Sequence, residues 1–192
     1  FHERNAGVYE DLSLFTANPK ITGELTKLFD FFENSFERKV YRNLFVSPFS
    51  TRRRFSKLID GEIARAEKGE EAWMDIKLNN IVDLGMVDKL YQASQAGVRI
   101  RMVVRGICAV RPGVSGLSEN IEVRSIVGRY LEHSRFMRFC NGGKPLTYLS
   151  SADWMTRNLD RRVEVTTPVL DADLAYDLQM HFERMWQDNT YA

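Results

Sequence analysis

Cysteine and histidine are scarce in this chain, and their placement closes several routes. Cys108 and Cys140 are the two cysteines among 192 residues; they form no CxxC pair, and His2, His133 and His181 do not flank them at zinc-ligand spacing. The plain expectation is two reduced thiols in a cytosolic protein. No apolar run approaches the roughly 20 residues that a membrane helix needs. The polar and charged first residues do not read as a signal peptide. The glycines form neither GxxxxGK[ST] nor GxGxxG, so the standard nucleotide-binding fingerprints are absent. Net charge is +1, so bulk charge announces neither nucleic acid nor an acidic membrane. An anion site has to come from local arginine placement.

A hydrophobic fraction of 44% and a charged fraction of 28% fit a soluble globular protein with a real core in one or two domains. The start at Phe1 without methionine suggests a piece cut from something longer. Asn18-Pro19 reads as a breaker, after which Thr22 caps a helix whose apolar face carries Leu25, Leu28, Phe29, Phe32 and Phe36. Leu44-Phe45-Val46 reads as a short strand. Phe55, Leu58, Ile59, Ile63 and Ala66 make an amphipathic helix that stops near Gly69. Residues 72–78 and 98–104 read as strands, separated by a helix that Asp83 caps. The run 111–120, with Pro112, Gly113 and Gly116, is a loop. Residues 121–127, 135–139, 147–149 and 163–167 are further strands, and a last helix follows Asp171. Strands and helices alternate between residues 44 and 110, which predicts a mostly parallel sheet covered by helices; the strand-rich second half makes it mixed. Residues 1–40 do not complete a domain.

Two places carry possible chemistry. His133 stands in Arg129-Tyr-Leu-Glu-His-Ser-Arg135 at the approach to a strand. Either it is a half-buried ring bonded to a carbonyl, or Arg129, Arg135 and Arg138 around it mark an anion site. Ser150-Ser151-Ala-Asp153 is a turn whose backbone N–H groups can face a phosphate. Arg105, followed by Gly106, ends a buried strand: either it simply covers the strand end, or it points into the crevice where ligands bind in open α/β sheets and its planar fork suits phosphate. Arg157, Arg161 and Arg162 near Glu164 read equally as solvated charge. Arg52-Arg53-Arg54 reads as an exposed first helical turn where anion binding stays open. His181 reads as a core-edge histidine, and Tyr9 and Asp11 carry no signal by spacing alone.

Several segments then resemble one family. Asp11-Leu-Ser-Leu-Phe-Thr-Ala17, Lys77-Leu-Asn-Asn80, Val104-Arg-Gly-Ile-Cys108, Arg111-Pro-Gly-Val-Ser-Gly-Leu-Ser-Glu-Asn120, Tyr130-Leu-Glu-His-Ser-Arg135 and Ser150-Ser-Ala-Asp-Trp-Met-Thr-Arg-Asn-Leu-Asp160 all look like the histidine-phosphorylating bacterial polyphosphate kinases. The resemblance implies an α/β, phospholipase-D-like fold: a mixed, largely parallel sheet flanked by helices. It implies that residues 1–40 are the tail of a first phospholipase-D-like catalytic domain and 41–192 a second. It implies reversible transfer of the terminal phosphate of ATP to inorganic polyphosphate through a phosphohistidine. That histidine belongs to a His-x-Lys motif, which this chain does not contain.

The family's second site histidine falls on His133, with Arg135 where a lysine is usual in the wider superfamily. Its nucleotide contacts fall on Tyr9, Arg105 and His133, joined by Arg162. Asp11 and Glu164 resemble the carboxylates that orient site histidines. Mg²⁺ and ATP/ADP are the implied cofactors, with the metal ligands outside this chain. The implied partners are polyphosphate, nucleotide, the rest of the same polypeptide and further copies in a homo-oligomer, without nucleic acid or a transmembrane segment. The implied location is cytoplasmic or peripheral to the membrane. The competing readings are a phospholipase-D-like phosphodiesterase or nuclease, and a nucleotide- or polyphosphate-binding piece inactive alone.

Overall fold

A computed structural model describes residues 2–36 and 39–188 of the chain. Its elements in chain order are α1 (Glu3–Ala6), β1 (Tyr9–Glu10), α2 (Pro19–Glu33), β2 (Phe45–Ser47), α3 (Thr51–Ala66), β3 (Trp73–Leu78), α4 (Leu84–Gln95) and β4 (Arg99–Val104). They continue with β5 (Ile121–Arg124), β6 (Leu131–Glu132), β7 (Phe136–Phe139), β8 (Leu146–Ser150), α5 (Thr156–Asp160), β9 (Glu164–Pro168) and α6 (Ala172–Gln187).

The main sheet runs β2-β9-β8-β7-β3-β4-β5, and β1 pairs with β6 in a two-residue parallel ladder beside it. Within the main sheet β3-β4 and β4-β5 pair in parallel; β7 and β9 run against the others, so their four pairings are antiparallel. Five of the seven strands therefore share one direction within the mixed sheet.

Side-chain alternation along β3 explains the layering. Met74, Ile76 and Leu78 join Phe55 and Ile59 of α3 and Met86, Val87 and Leu90 of α4 in the larger core. Each such fully buried side chain contributes about 1.5–3 kcal/mol. Asp75 and Lys77 point to the opposite face, where Phe136 meets Leu178, Phe182 and Met185 of α6. A third cluster joins Ile21 and Leu28 of α2 to Tyr41, Leu44 and Val46. Helices thus cover both faces, as expected.

Helix starts follow side-chain chemistry. Asp83 accepts the Met86 N–H at 3.1 Å, and Asp171 accepts those of Asp173 and Leu174, both as the sequence predicts. At α2 the expectation needs correcting. Asn18, not Thr22, is the cap, accepting from the Lys20 N–H at 3.0 Å, and Pro19 opens the helix because its missing N–H costs nothing there. The apolar face expected for this helix is also only half covered: Phe29, Phe32 and Phe36 are exposed.

Candidate functional site

The loop from β6 to β7 carries His133, and polar groups fix it from several sides. Its backbone N–H donates to the Glu10 carbonyl at 2.8 Å, a consequence of the β1-β6 pairing. Its carbonyl accepts from Asn79 Nδ2 at 3.1 Å and from Arg135 Nη1 at 3.2 Å. Behind the loop, the fully buried Lys77 donates through Nζ to the carbonyls of Ser134, at 3.0 Å, and Glu132, at 3.4 Å. Two carbonyls flanking one histidine thus share one ammonium.

The imidazole itself sits between opposite partners. Nδ1 lies 2.7 Å from Asp11 Oδ2, and Nε2 lies 3.1 Å from Arg135 Nη2. A guanidinium has only donors, so Nε2 accepts and the ring proton sits on Nδ1, donated to Asp11. The tautomer leaves the reactive lone pair on Nε2. Tyr9 meets the ring edge-on, centroids 5.1 Å apart. Tyr9 and Asp11 reach the site because β1 lies alongside β6, a pairing across 122 residues that spacing cannot reveal.

His133, Asp11, Arg135, Arg162 and Glu164 line one open cavity of about 550 Å³. Glu164 starts β9 and accepts from Ser151 Oγ and from Asn158 Nδ2 at 2.6 Å. It faces the cavity without touching the histidine ring. Arg105 opens on a neighbouring cavity of about 290 Å³ with Val8, Ile126, Tyr130 and Leu131. The link between them is Asn79: its Oδ1 accepts from Arg105 Nε at 3.1 Å while its Nδ2 holds the His133 carbonyl. Asn79 therefore ties the Arg105 guanidinium to the backbone of His133.

Two expectations change and one holds. Of the arginines thought to surround His133, only Arg135 contacts it. Arg138 is buried on Asp75 at 2.8 Å, and the Arg129 guanidinium lies over the Tyr130 ring. The turn 150–153 offers no free N–H at three of its positions, because Ser150 donates to the Arg135 carbonyl, Ser151 to the Val165 carbonyl and Ala152 to Ser150 Oγ. Its Asp153 instead accepts the Asn79 and Asn80 N–H groups at 2.8 and 3.1 Å, fixing the end of β3. His181 is half-buried beside Phe136, with its imidazole proton affinity lowered by burial, as expected of a core-edge residue.

Sequence reasoning missed Lys77 and Glu132. Burial brings the Lys77 ammonium down to about 8. Burial, then the Glu10 carboxylate, pushes Glu132 up to about 7. The signals available were a lysine within a short apolar strand and the place of both residues in the family-like segments 77–80 and 130–135.

Among the described residues, no group of three or more His, Cys, Asp or Glu side chains could hold a metal ion. The cavity's carboxylates are already bonded: Asp11 to His133, and Glu164 to Ser151 and Asn158. These residues do not by themselves make a Mg²⁺ site, and no helix among the described residues is long and apolar enough to cross a membrane.

The family described as polyphosphate kinase C-terminal domain 2 matches residues 44–192. The polyphosphate kinase of Yersinia pestis is 47% identical over 192 residues, 100% of this chain and 28% of that protein. The crystal structure of polyphosphate kinase from Porphyromonas gingivalis superposes with a TM-score of 0.95 at 38% identity, over 99% of this chain and 29% of that one. Nuc from Salmonella typhimurium, a phospholipase D family member, superposes with a TM-score of 0.55 at 15% identity, over 74% of this chain and 91% of that one; this likeness shows the fold alone. The chain spans about a quarter of the length of the curated relatives it matches.

Proposed function

Because the chain belongs to the polyphosphate kinase C-terminal domain 2 family, we propose that it supplies one half of a two-histidine site that moves the terminal phosphate of ATP reversibly onto inorganic polyphosphate. The phosphorylated histidine belongs to the rest of the polypeptide. The observation that carries this reading is the Asp11–His133–Arg135 relay, which presents an acceptor Nε2 to an open, arginine-lined cavity.

Phosphoryl transfer asks the protein chiefly for alignment and charge neutralisation. Arg105 and Arg162 hold the phosphates of nucleotide or polymer through their planar forks. An arriving phosphate competes for Arg135, frees Nε2, and lets His133 hold or release a proton opposite the phosphohistidine. Asp11 fixes the ring and stabilises its charged form. Tyr9, exposed and against the imidazole, packs on the nucleotide; Glu164 sets Ser151 and Asn158 around the cavity floor. Mg²⁺ would neutralise phosphate charge when bound, with ligands from outside this chain.

Residues 1–40 then form the tail of a first phospholipase-D-like domain and 41–192 the second. The exposure of Phe15, Phe29, Phe32 and Phe36 supports that division, since four large apolar side chains on one short stretch call for a covering surface. The intact enzyme acts in the cytoplasm as a homo-oligomer on nucleotide and polyphosphate.

In the full-length enzyme, His133→Ala should lower turnover about 10²–10⁴-fold with an unchanged melting transition. Turnover near that of the parent enzyme would remove His133 from the chemistry.

A further inference from the structure

Arg52-Arg53-Arg54 is not absorbed by the site around His133, and the structure separates its members. Arg52 is neutralised twice, by Asp83 and by Asp160, each at 2.6 Å. Arg53 lines two adjoining cavities of about 570 and 850 Å³, and Lys57, one turn on, lines both with it. Neither has a carboxylate within ion-pair reach among the described residues. Asp60 and Asp160, the acids bordering the larger cavity, are already paired with Lys89 and Arg52.

Arg54 is held in place without an acid. Its guanidinium lies 5.0 Å above the Phe45 ring and donates to the carbonyls of Tyr41 at 2.9 Å and Arg42 at 2.6 Å. Its charge is therefore fixed in position and not cancelled. Arg65 closes the far end of the smaller cavity, sharing the buried Glu62 and Asn141 Oδ1. Four cations thus face one carboxylate, an excess of three in a chain whose net charge is only +1. Burial also raises the proton affinity of that carboxylate.

The groove lies away from the histidine. His133 precedes β7 and Asn141 follows it, so the two cavities adjoin opposite ends of that strand, at most roughly 26 Å apart at about 3.3 Å per extended residue. An excess of cations along one helix, one of them fixed in place, suits a flexible polymer carrying a negative charge on every repeat. A compact phosphate would use only one end of it.

We propose that the groove formed by Arg53, Arg54, Lys57 and Arg65 along α3 is a second binding site for inorganic polyphosphate, holding a distant stretch of the chain whose end is at the His133 cavity. The proposal rests on the polyphosphate reading of that cavity. Tethering at two sites raises the effective concentration of the chain end, so the groove benefits long chains and leaves short ones unaffected.

The test is steady-state kinetics of the full-length enzyme carrying Arg53→Ala and Lys57→Ala, and separately Arg53→Glu and Lys57→Glu. Thermal melting serves as the folding control. The KM for long-chain polyphosphate should rise about tenfold for the alanine pair and more for the glutamate pair. The KM for ATP, the KM for tripolyphosphate and kcat should stay unchanged. An unchanged long-chain KM overturns the proposal, and so does an equal rise for long chains and tripolyphosphate, which would place the effect at the active site. A separate arm uses fluorescence polarisation of end-labelled long-chain polyphosphate on the full-length His133→Ala enzyme, with and without the α3 substitutions. Binding weakened by those substitutions supports the groove even if the parent enzyme makes no polyphosphate; that second result would count against the reading of the His133 cavity alone. Equal binding with and without them overturns it.

Discussion

Arg135 and Arg138 stand three residues apart on one stretch of chain and do opposite work. Arg138 points to the α6 side of the sheet, is almost fully buried, and donates to Asp75 Oδ2 and Gln179 Oε1, both at 2.8 Å. Arg101 reaches the other oxygen of the same carboxylate at 2.8 Å and pairs with Glu183 at 2.6 Å, its charge lying over Phe182 and Trp186. Every charge in that cluster has a counter-charge. Arg135 instead spends two of its nitrogens on the carbonyl and ring of His133, leaving Asp153 as an ion-pair neighbour at 3.2 Å. A guanidinium whose every charge is matched by acids builds structure; Arg135 has one acid, Asp153, and turns its other donors to the His133 carbonyl and ring nitrogen, where an anion can compete for them.

Substitution on each side should separate these roles. Asp75→Ala strips the acid from two buried guanidinium groups and should cost about 3–5 kcal/mol, read as a lower denaturant midpoint. Arg135→Ala leaves Asp153 still accepting the Asn79 and Asn80 N–H groups, so it should cost no more than about 1 kcal/mol of stability while abolishing most turnover of the full-length enzyme. If Arg135→Ala destabilised as much as Asp75→Ala, the distinction between the two arginines would fall.

Gly106 probes the site side more gently. A Cβ there would lie 2.7 Å from Asn80 Oδ1 and 2.9 Å from the Asn79 carbonyl, beside the amide that joins Arg105 to His133. Gly106→Ala should cost about 1–3 kcal/mol and shift Arg105 with it. The expected kinetic signature is a raised KM for nucleotide; an unchanged KM would show that the Asn79 tie does not position Arg105.

How much of this could be read from residues alone varies by element. Strands β3 and β4 and the Asp83 and Asp171 caps were legible, because alternation and capping are local. Asn18-Pro19 misled because the same dipeptide that breaks a helix also opens one. The aromatic spacing of α2 predicted burial that the described residues do not supply, since periodicity shows an apolar face and not what covers it. Arg105 and His133 stood out by position, but Tyr9 and Asp11 did not. Their place depends on two residues of β1 pairing across the fold. Lys77 was hardest to read: on a strand whose alternate residues are apolar, a lysine is expected in water, and here it is buried under the histidine loop.

The two sides should also differ in how they respond to acid. Glu183 has its proton affinity lowered, chiefly by the hydrogen bond from Arg101, so it stabilises the fold above the ordinary glutamate range and loses that contribution as pH falls. Glu132, beneath the His133 loop, has the opposite sign. Burial and the Glu10 carboxylate raise it to about 7 from the ordinary 4.5, so between those values the folded chain holds a proton that the unfolded chain has released. Its contribution is complete below pH 4.5 and lost as pH climbs to 7. Glu132→Gln should flatten the stability profile across that window by about 1–2 kcal/mol, while Glu183→Gln should flatten it only below the window. Urea midpoints measured from pH 3 to 8 would separate the two. An unaltered slope between about 4.5 and 7 in Glu132→Gln would mean that the carboxyl beside Lys77 ionises freely, and that the histidine loop rests on a fully charged pair instead of a protonated acid.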